Sequence, residues 1–212
     1  MNRYFHNELE DLRSKLILIG EKSIEAGRLA VGGFLESDLE KIDKALKMDD
    51  EIDNLEIEID RAAVRYTTLR SPVSTDVRLI FVAIKASHDL ERAGDEAHSI
   101  AKKTRNILTR EGRIANTVNI PKMAQLAFDM MRDAITCFVQ EDVNLAKSIT
   151  ERDKQVDELN KQNFELLSGK NASEQISTPT AVETILVSKS IERIADHSKN
   201  LAQEVIYLLT GK

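Results

Sequence analysis

Between Phe5 and Phe34 the chain places Leu9, Leu12, Leu16, Ile19, Ala26, Ala30 and Phe34 at alternating steps of three and four residues, with Ser23 in the one missing slot. That spacing lines up one side of a 3.6-residue helix and suits no other regular element. So long an apolar stripe cannot bury itself, and the chain has to bring other helices to it. A second stripe begins after Asp38 with Leu39, Ile42 and Leu46 and runs to about Thr68, where Leu69-Arg70-Ser71-Pro72 breaks it. The third segment, from about Ser74 to Arg110, opens with the cap-capable Ser74 and Thr75 followed by Asp76, and carries Val77, Ile80 and Ile84 on one face. Gly112 to Pro121 has turn chemistry and no stripe. The fourth segment starts near Pro121, the fifth covers about Asp142 to Leu167, and the sixth runs from Thr178-Pro179 to Leu209, with Gly211 as its stop. Aromatic residues at 4%, no Trp, eight Gly and three Pro leave out the turn-rich, aromatic-rich composition of sandwiches and barrels. The expected fold is all-α: six long helices forming two tandem, pseudo-symmetric three-helix bundles, residues 1–111 and 121–212, joined by a linker at 112–120.

Several function classes fall away. Thirty-six acidic against thirty basic residues give a net charge of −6 with no compact Lys/Arg cluster, which argues against nucleic acid as a partner. Acidic residues stand where a secretory leader would be apolar, and no run approaches the ~20 residues needed to span a bilayer, so a cytoplasmic protein is expected. Cys137 is alone, which excludes an internal disulfide and thiolate metal sites and marks it as a core-packing residue. There is no Gly-rich phosphate loop, no Gly-x-Ser-x-Gly and no Cys/His nucleophile arrangement. Carboxylate-bridged di-iron bundles use Glu-x-x-His; here the nearest approach is Asp95-x-x-His98, once. No catalytic residue is assigned, and the chain is expected not to be an enzyme.

The halves repeat. A shift of 104 residues lays FLESDLEKIDKALKMDDEID over FVQEDVNLAKSITERDKQVD, matching Phe34 to Phe138, Asp38 to Asp142, Asp49 to Asp153 and Asp53 to Asp157. A shift of 101 lays HDLERAGDEAHSIA over KSIERIADHSKNLA, matching Glu91 to Glu192, Arg92 to Arg193, Asp95 to Asp196 and Ala101 to Ala202. Core packing alone would repeat apolar character and let charge drift. A repeat that keeps its charges points to work that needs carboxylates.

Four acid pairs result, Asp49/Asp53, Glu91/Asp95, Asp153/Asp157 and Glu192/Asp196, each at i,i+4 and hence stacked on one helix face. At ~100° per residue, Glu91 and Asp95 continue the line of Val77, Ile80 and Ile84, while Asp49 and Asp53 continue that of Leu39, Ile42 and Leu46. All eight are therefore expected to face partner helices. Desolvated carboxylates need a positive partner. Three answers stand open: metal ions, for which clustered oxygen ligands suit iron, manganese, magnesium or calcium; cations of the chain such as Arg92, Arg193 or Lys85; or a seam open to water. His88 and His98 lie beside the first pairs and could complete a coordination sphere, but Lys189 and Lys199 hold the matching places in the second half. His197 points ~100° away from the acids, toward surface or interface.

DLERAGDEAHSIA at 89–101 and SIERIADHSKNLAQEVIYLLTG at 190–211, with SPVSTDVRLI at 71–80 and MDDEIDNLEIEI at 48–59, resemble the PhoU family of phosphate-signalling proteins over essentially the whole chain. The paired Glu-Arg-x-x-Asp elements, one closing each half, are the specific part. The resemblance implies a homodimeric cytoplasmic adaptor that acts with the ATPase subunit of the phosphate-specific ABC transporter, peripheral to the inner membrane. It also implies a role in holding a phosphate-sensing histidine kinase in its repressing state. It further implies metal ions on the four acid pairs, in multinuclear clusters in some members: iron foremost, with zinc, manganese, magnesium, calcium or nickel as other occupants. The alternative is a carboxylate-bridged metal-dependent enzyme or a metal-storage bundle. Ala93 and Ser198 depart from the family's usual Ile and Ala.

Overall fold

The computed structural model describes residues 2–70, 72–114, 118–169 and 176–211. Ser71 of the expected break, the middle of the linker, and residues 170–175 of the polar stretch before the last segment lie outside the described residues. All six expected segments are helical: α1 is Asn2–Glu36, α2 and α3 are Leu39–Lys47 and Asp49–Arg70, α4 is Ser74–Glu111, α5 is Ile120–Gln140, α6 is Val143–Ser168 and α7 is Thr178–Thr210. The second segment divides at Met48, whose N–H bonds back to Ala45 at 3.2 Å in a tightened turn. Charge explains the division. Lys44 and Lys47 close α2 where a helix favours cations, and Asp49, Asp50 and Glu51 open α3 where it favours anions.

The repeat is kept down to the backbone. Ser37 and Glu141, 104 residues apart, both take a left-handed φ of 56°. Asp38 and Asp142 follow them as N-caps: Asp38 accepts from the N–H groups of Glu40 and Lys41 at 2.8 and 3.2 Å, Asp142 from those of Asn144 and Leu145 at 2.8 and 3.0 Å. Gly112 and Gly211 end α4 and α7 at φ 74° and 73°, where only glycine is unstrained. At the start of α4 the capping position falls on Val73, which offers no side-chain cap, so Ser74 and Thr75 lie within the first turn.

α1, α2, α3 and α4 form one bundle and α5, α6 and α7 the other; α1 also packs on α5, and α4 on α7. One continuous apolar core crosses both halves. Ser23, the gap in the first stripe, is buried and donates to the carbonyls of Ile19 and Leu90, tying α1 to α4. α4 and α7 run antiparallel, linked by Lys85 to Glu204 at 2.8 Å, Glu96 to Arg193 at 3.0 Å and Asn106 to Glu183 at 3.3 Å. Cys137 is buried as expected, and loss of water pushes its thiol up to about 12.

The buried face of α4 differs from the expected line. Ile80 is buried but Ile84 is 37% exposed, and beside Leu79, Val82 and Leu90 the core side carries the small residues Ala83, Ala86, Ser87, Ala93, Gly94 and Ala97. α4 touches α1, α2, α3 and α7 at once, so close approach matters there more than side-chain bulk. A Cβ on Gly94 would stand 2.9 Å from Ile52 Cδ1.

The same logic separates two glycines of α1. A Cβ on Gly27 would meet the Phe128 ring at 2.5 and 3.0 Å, whereas one on Gly32 would find its nearest neighbour, Lys41 Cδ, at 3.5 Å. Urea unfolding should therefore show Gly32→Ala stabilising by roughly 0.5–1 kcal/mol through helix propensity. Gly27→Ala should destabilise by about 1–3 kcal/mol through overpacking. Equal shifts in the two variants would contradict the α1–α5 packing described here.

Candidate metal centre

The eight acids gather in two seams. In the first, Asp49 and Asp53 of α3 face Glu91 and Asp95 of α4; in the second, Asp153 and Asp157 of α6 face α7, which carries Glu192 and Asp196. Their burial is not what the stripes implied. Asp153 and Glu192 are buried at 6% and 8% exposure, but Asp53 and Asp157 are exposed and the other four are half-buried. The reason is lateral offset. The bundle interior beside the acids is filled by Ile52, Ala93 and Gly94 in one half and by Val156, Ile191 and Ala195 in the other, so the carboxylates stand at the outer edge of each helix pair.

Charge crowding marks the first seam. Partial desolvation, then the charges of Asp49 and Asp95, raise Asp53 above its ordinary value. Glu91 is pushed up to about 7 by burial, then by Asp95 and Glu56, with Arg92 opposing. Its Oε2 is buried without a hydrogen bond. In the second seam burial, then Asp153 and Asp196, raise Asp157, with Lys199 opposing.

The chain's own cations are unevenly placed. Arg92 reaches Asp95 at 3.0 Å and Glu91 at 3.5 Å. Arg193 turns away from its seam to Glu96 on α4, and Lys85 goes to Glu204. His98 bonds to Asp49, and His88 Nδ1 lies 3.1 Å from Glu56 Oε1 and 4.0 Å from Glu91 Oε2. Ligand atoms of Glu56, His88 and Glu91 all lie within 4.8 Å of one another. His197 pairs with Asp89 at 2.9 Å across the α4–α7 interface, away from both seams.

Glu56 was missed in the sequence reading. It follows Asp53 by three on the same face of α3, which was a usable signal, but Asn160 stands opposite it in the repeat and the pairing passed it over. Carboxylate oxygens with one or two imidazole nitrogens form a donor set for a borderline or hard divalent ion. Buried oxygens without a hydrogen bond stand in both seams, Glu91 Oε2 in the first and Asp153 Oδ1 and Glu192 Oε2 in the second, but only in the first do imidazoles stand beside them.

A sequence profile of the PhoU domain matches residues 16–104 and 120–205. The chain belongs to the PhoU family. Each PhoU match spans one of the two bundles and includes its seam. The phosphate-specific transport system accessory protein PhoU homolog of Pseudomonas putida is 31% identical over 211 residues, covering 100% of this chain and 82% of that one. The crystal structure of PhoU from Pseudomonas aeruginosa superposes with a TM-score of 0.93 at 31% identity, over 98% of this chain and 100% of that one. The phosphate transport system regulatory protein PhoU from Streptococcus pneumoniae superposes with a TM-score of 0.89 at 25% identity, over 98% of each chain. As the resemblance implied, this PhoU-family fold is two tandem three-helix bundles. Among its described residues no helix is long and apolar enough to cross a membrane.

The raised Glu91 gives a pH signature. A carboxyl whose folded value lies above its unfolded value takes up protons on folding, so its contribution to stability falls as pH rises from about 4.5 through about 7. In chelator-treated protein, Glu91→Gln should raise the urea midpoint more at pH 8 than at pH 5. A midpoint shift independent of pH would show that Glu91 is not crowded as described.

Proposed function

We propose that this chain is a phosphate-transport accessory protein that works as a metal-dependent adaptor. It contacts the ATPase subunit of the phosphate-specific ABC transporter on the cytoplasmic side of the membrane. It passes the state of that transporter to a phosphate-sensing histidine kinase, which it holds in the repressing state when phosphate is plentiful. The observation that carries the reading is the PhoU match to both bundles, with the charged elements at matching places in each. Relatives spanning the whole chain are named as accessory proteins of phosphate-specific transport, which supports the same reading.

The geometry is suited to docking. Long helices with short connections give extended faces, and the seams put negative charge on the outside of the bundles, where a bound ion stays accessible to a partner. Metal on the first seam would be held by Glu56, Glu91 and His88, with Asp49, Asp53 and Asp95 alongside, and would add positive charge beside Glu91 Oε2, which has Arg92 Nε at 3.5 Å but no hydrogen bond. Iron, manganese or zinc suits this mixed oxygen and nitrogen set. Binding would hold α3 against α4, since ions that bind only the folded seam stabilise it.

Two measurements test the reading. Deleting the gene should leave phosphate-starvation genes expressed in phosphate-rich medium, and normal repression would sink the regulatory role. Stripping metal with a chelator should weaken retention of the protein on the immobilised transporter ATPase, with recovery on adding back iron or manganese. Retention indifferent to chelation would remove the metal from the adaptor function.

A further inference from the structure

The two seams occupy matching places in the repeat, yet their charges do not match. The first sets Asp49, Asp53, Glu56, Glu91 and Asp95 against one guanidinium, Arg92, and two imidazoles. In the second, Arg193 leaves for Glu96 on α4, but three places have moved toward positive charge. Lys199 replaces His98, Lys189 replaces His88, and Asn160 replaces Glu56.

The structure shows what these replacements do. Lys199 Nζ sits between the helices, 2.5 Å from Asp153 Oδ2 and 2.7 Å from Asp196 Oδ1, with its own charge favoured by both hydrogen bonds against the cost of burial. Lys189 Nζ lies 2.6 Å from Glu192 Oε2. Asn160 does not reach for a cation at all; its Oδ1 accepts from Ser188 Oγ at 2.8 Å in a buried amide network with Asn163. An ammonium group donates three hydrogen bonds and has no lone pair, so it cannot ligate a metal, whereas a neutral imidazole can. A divalent ion entering the second seam would meet Lys199 where His98 stands in the first.

We infer that Lys199, with Lys189, is a built-in cation that takes the metal's place in the second seam, so that the chain binds metal in the α3–α4 seam alone. The inference rests on the metal reading above and sharpens it from two equivalent sites to one. Its mechanical consequence is that α6 and α7 are joined permanently by the chain's own charge, while the joining of α3 to α4 depends on supplied metal.

Metal content separates the outcomes. Protein equilibrated with Mn²⁺, Zn²⁺ or anaerobic Fe²⁺ and then desalted should lose nearly all bound metal in Glu91→Ala/Asp95→Ala. It should retain the parental amount in Glu192→Gln/Asp196→Asn, with helical content checked by circular dichroism. Lys189→His/Lys199→His, which gives the second half the first half's two imidazoles in place of its ammonium groups, should raise bound metal above the parental amount. Hydrogen exchange on the parent supplies a readout that needs no variant: chelation should speed exchange in α3 and α4 and leave α6 and α7 unchanged. Loss of half the metal from each acid variant would overturn the inference and leave the metal reading intact. A parent that takes up no metal would overturn both.

Discussion

Carboxylates crowded along a helix-helix seam repel one another, and the arrangement of this molecule follows from how that repulsion is met. Two unit charges 4 Å apart at an effective dielectric of 20 interact by about 4 kcal/mol, comparable to the whole stability of a small domain. Acids on the axis of a three-helix bundle could not be tolerated at that cost without full pairing. Here they stand one side chain away from the axis, where water reaches Asp53 and Asp157 and only Asp153 and Glu192 are buried. Asp153 is also the acid that has a lysine ammonium 2.5 Å away. The deepest acids, Asp153 and Glu192, lie beside lysines, as does the half-buried Asp196; the half-buried acids of the first seam have histidines and a single arginine.

The helical segments, their caps and their pairing into halves were legible in the sequence because each is a local property. Asp38 and Asp142 cap where they stand in the chain, and the 104-residue shift that aligns them also aligns the left-handed Ser37 and Glu141. The site was legible in identity more than in position. The repeat singled out the acids that line the seams, but a stripe drawn through the large aliphatic residues of α4 placed Glu91 and Asp95 too deep. The face that packs mixes Leu79, Val82 and Leu90 with the small residues Ala83, Ala86, Ala93, Gly94 and Ala97, and α4 has four helices to accommodate there. Hydrophobicity alone underweights Ala and Gly at such crossings, where what matters is how closely two backbones approach. The end of α2 at Met48 was missed for a related reason. It is set by the switch from Lys47 to Asp49, a charge signal, in a stretch whose apolar spacing continues without interruption.

Comparing the halves for sameness found the acids; comparing them for difference finds the rest. Glu56, His88 and His98 have no like residue at 160, 189 and 199, and a search for repeated residues discounts all three. In the folded chain they are the groups that distinguish a seam ringed by possible metal donors from one holding ammonium groups. Duplication supplies the scaffold twice, and the positions that break the repeat say what each copy does with it.

The arginine of each Glu-Arg-x-x-Asp element shows how the seams are joined. Arg92 stays with its own seam, but Arg193, one residue after Glu192, crosses to Glu96, one residue after Asp95. His197, next to Asp196, crosses to Asp89 in the same way. A step of one residue turns ~100° about a helix, so α4 and α7 each present a seam on one side and a cross-link between halves on the next. With Gly94 packed closely on Ile52 of α3, a change in how α3 seats on α4 meets a helix already linked to α7. The α4–α7 pair therefore joins the halves, and α2 and α3, which meet at Met48, are the part whose seating the first seam governs.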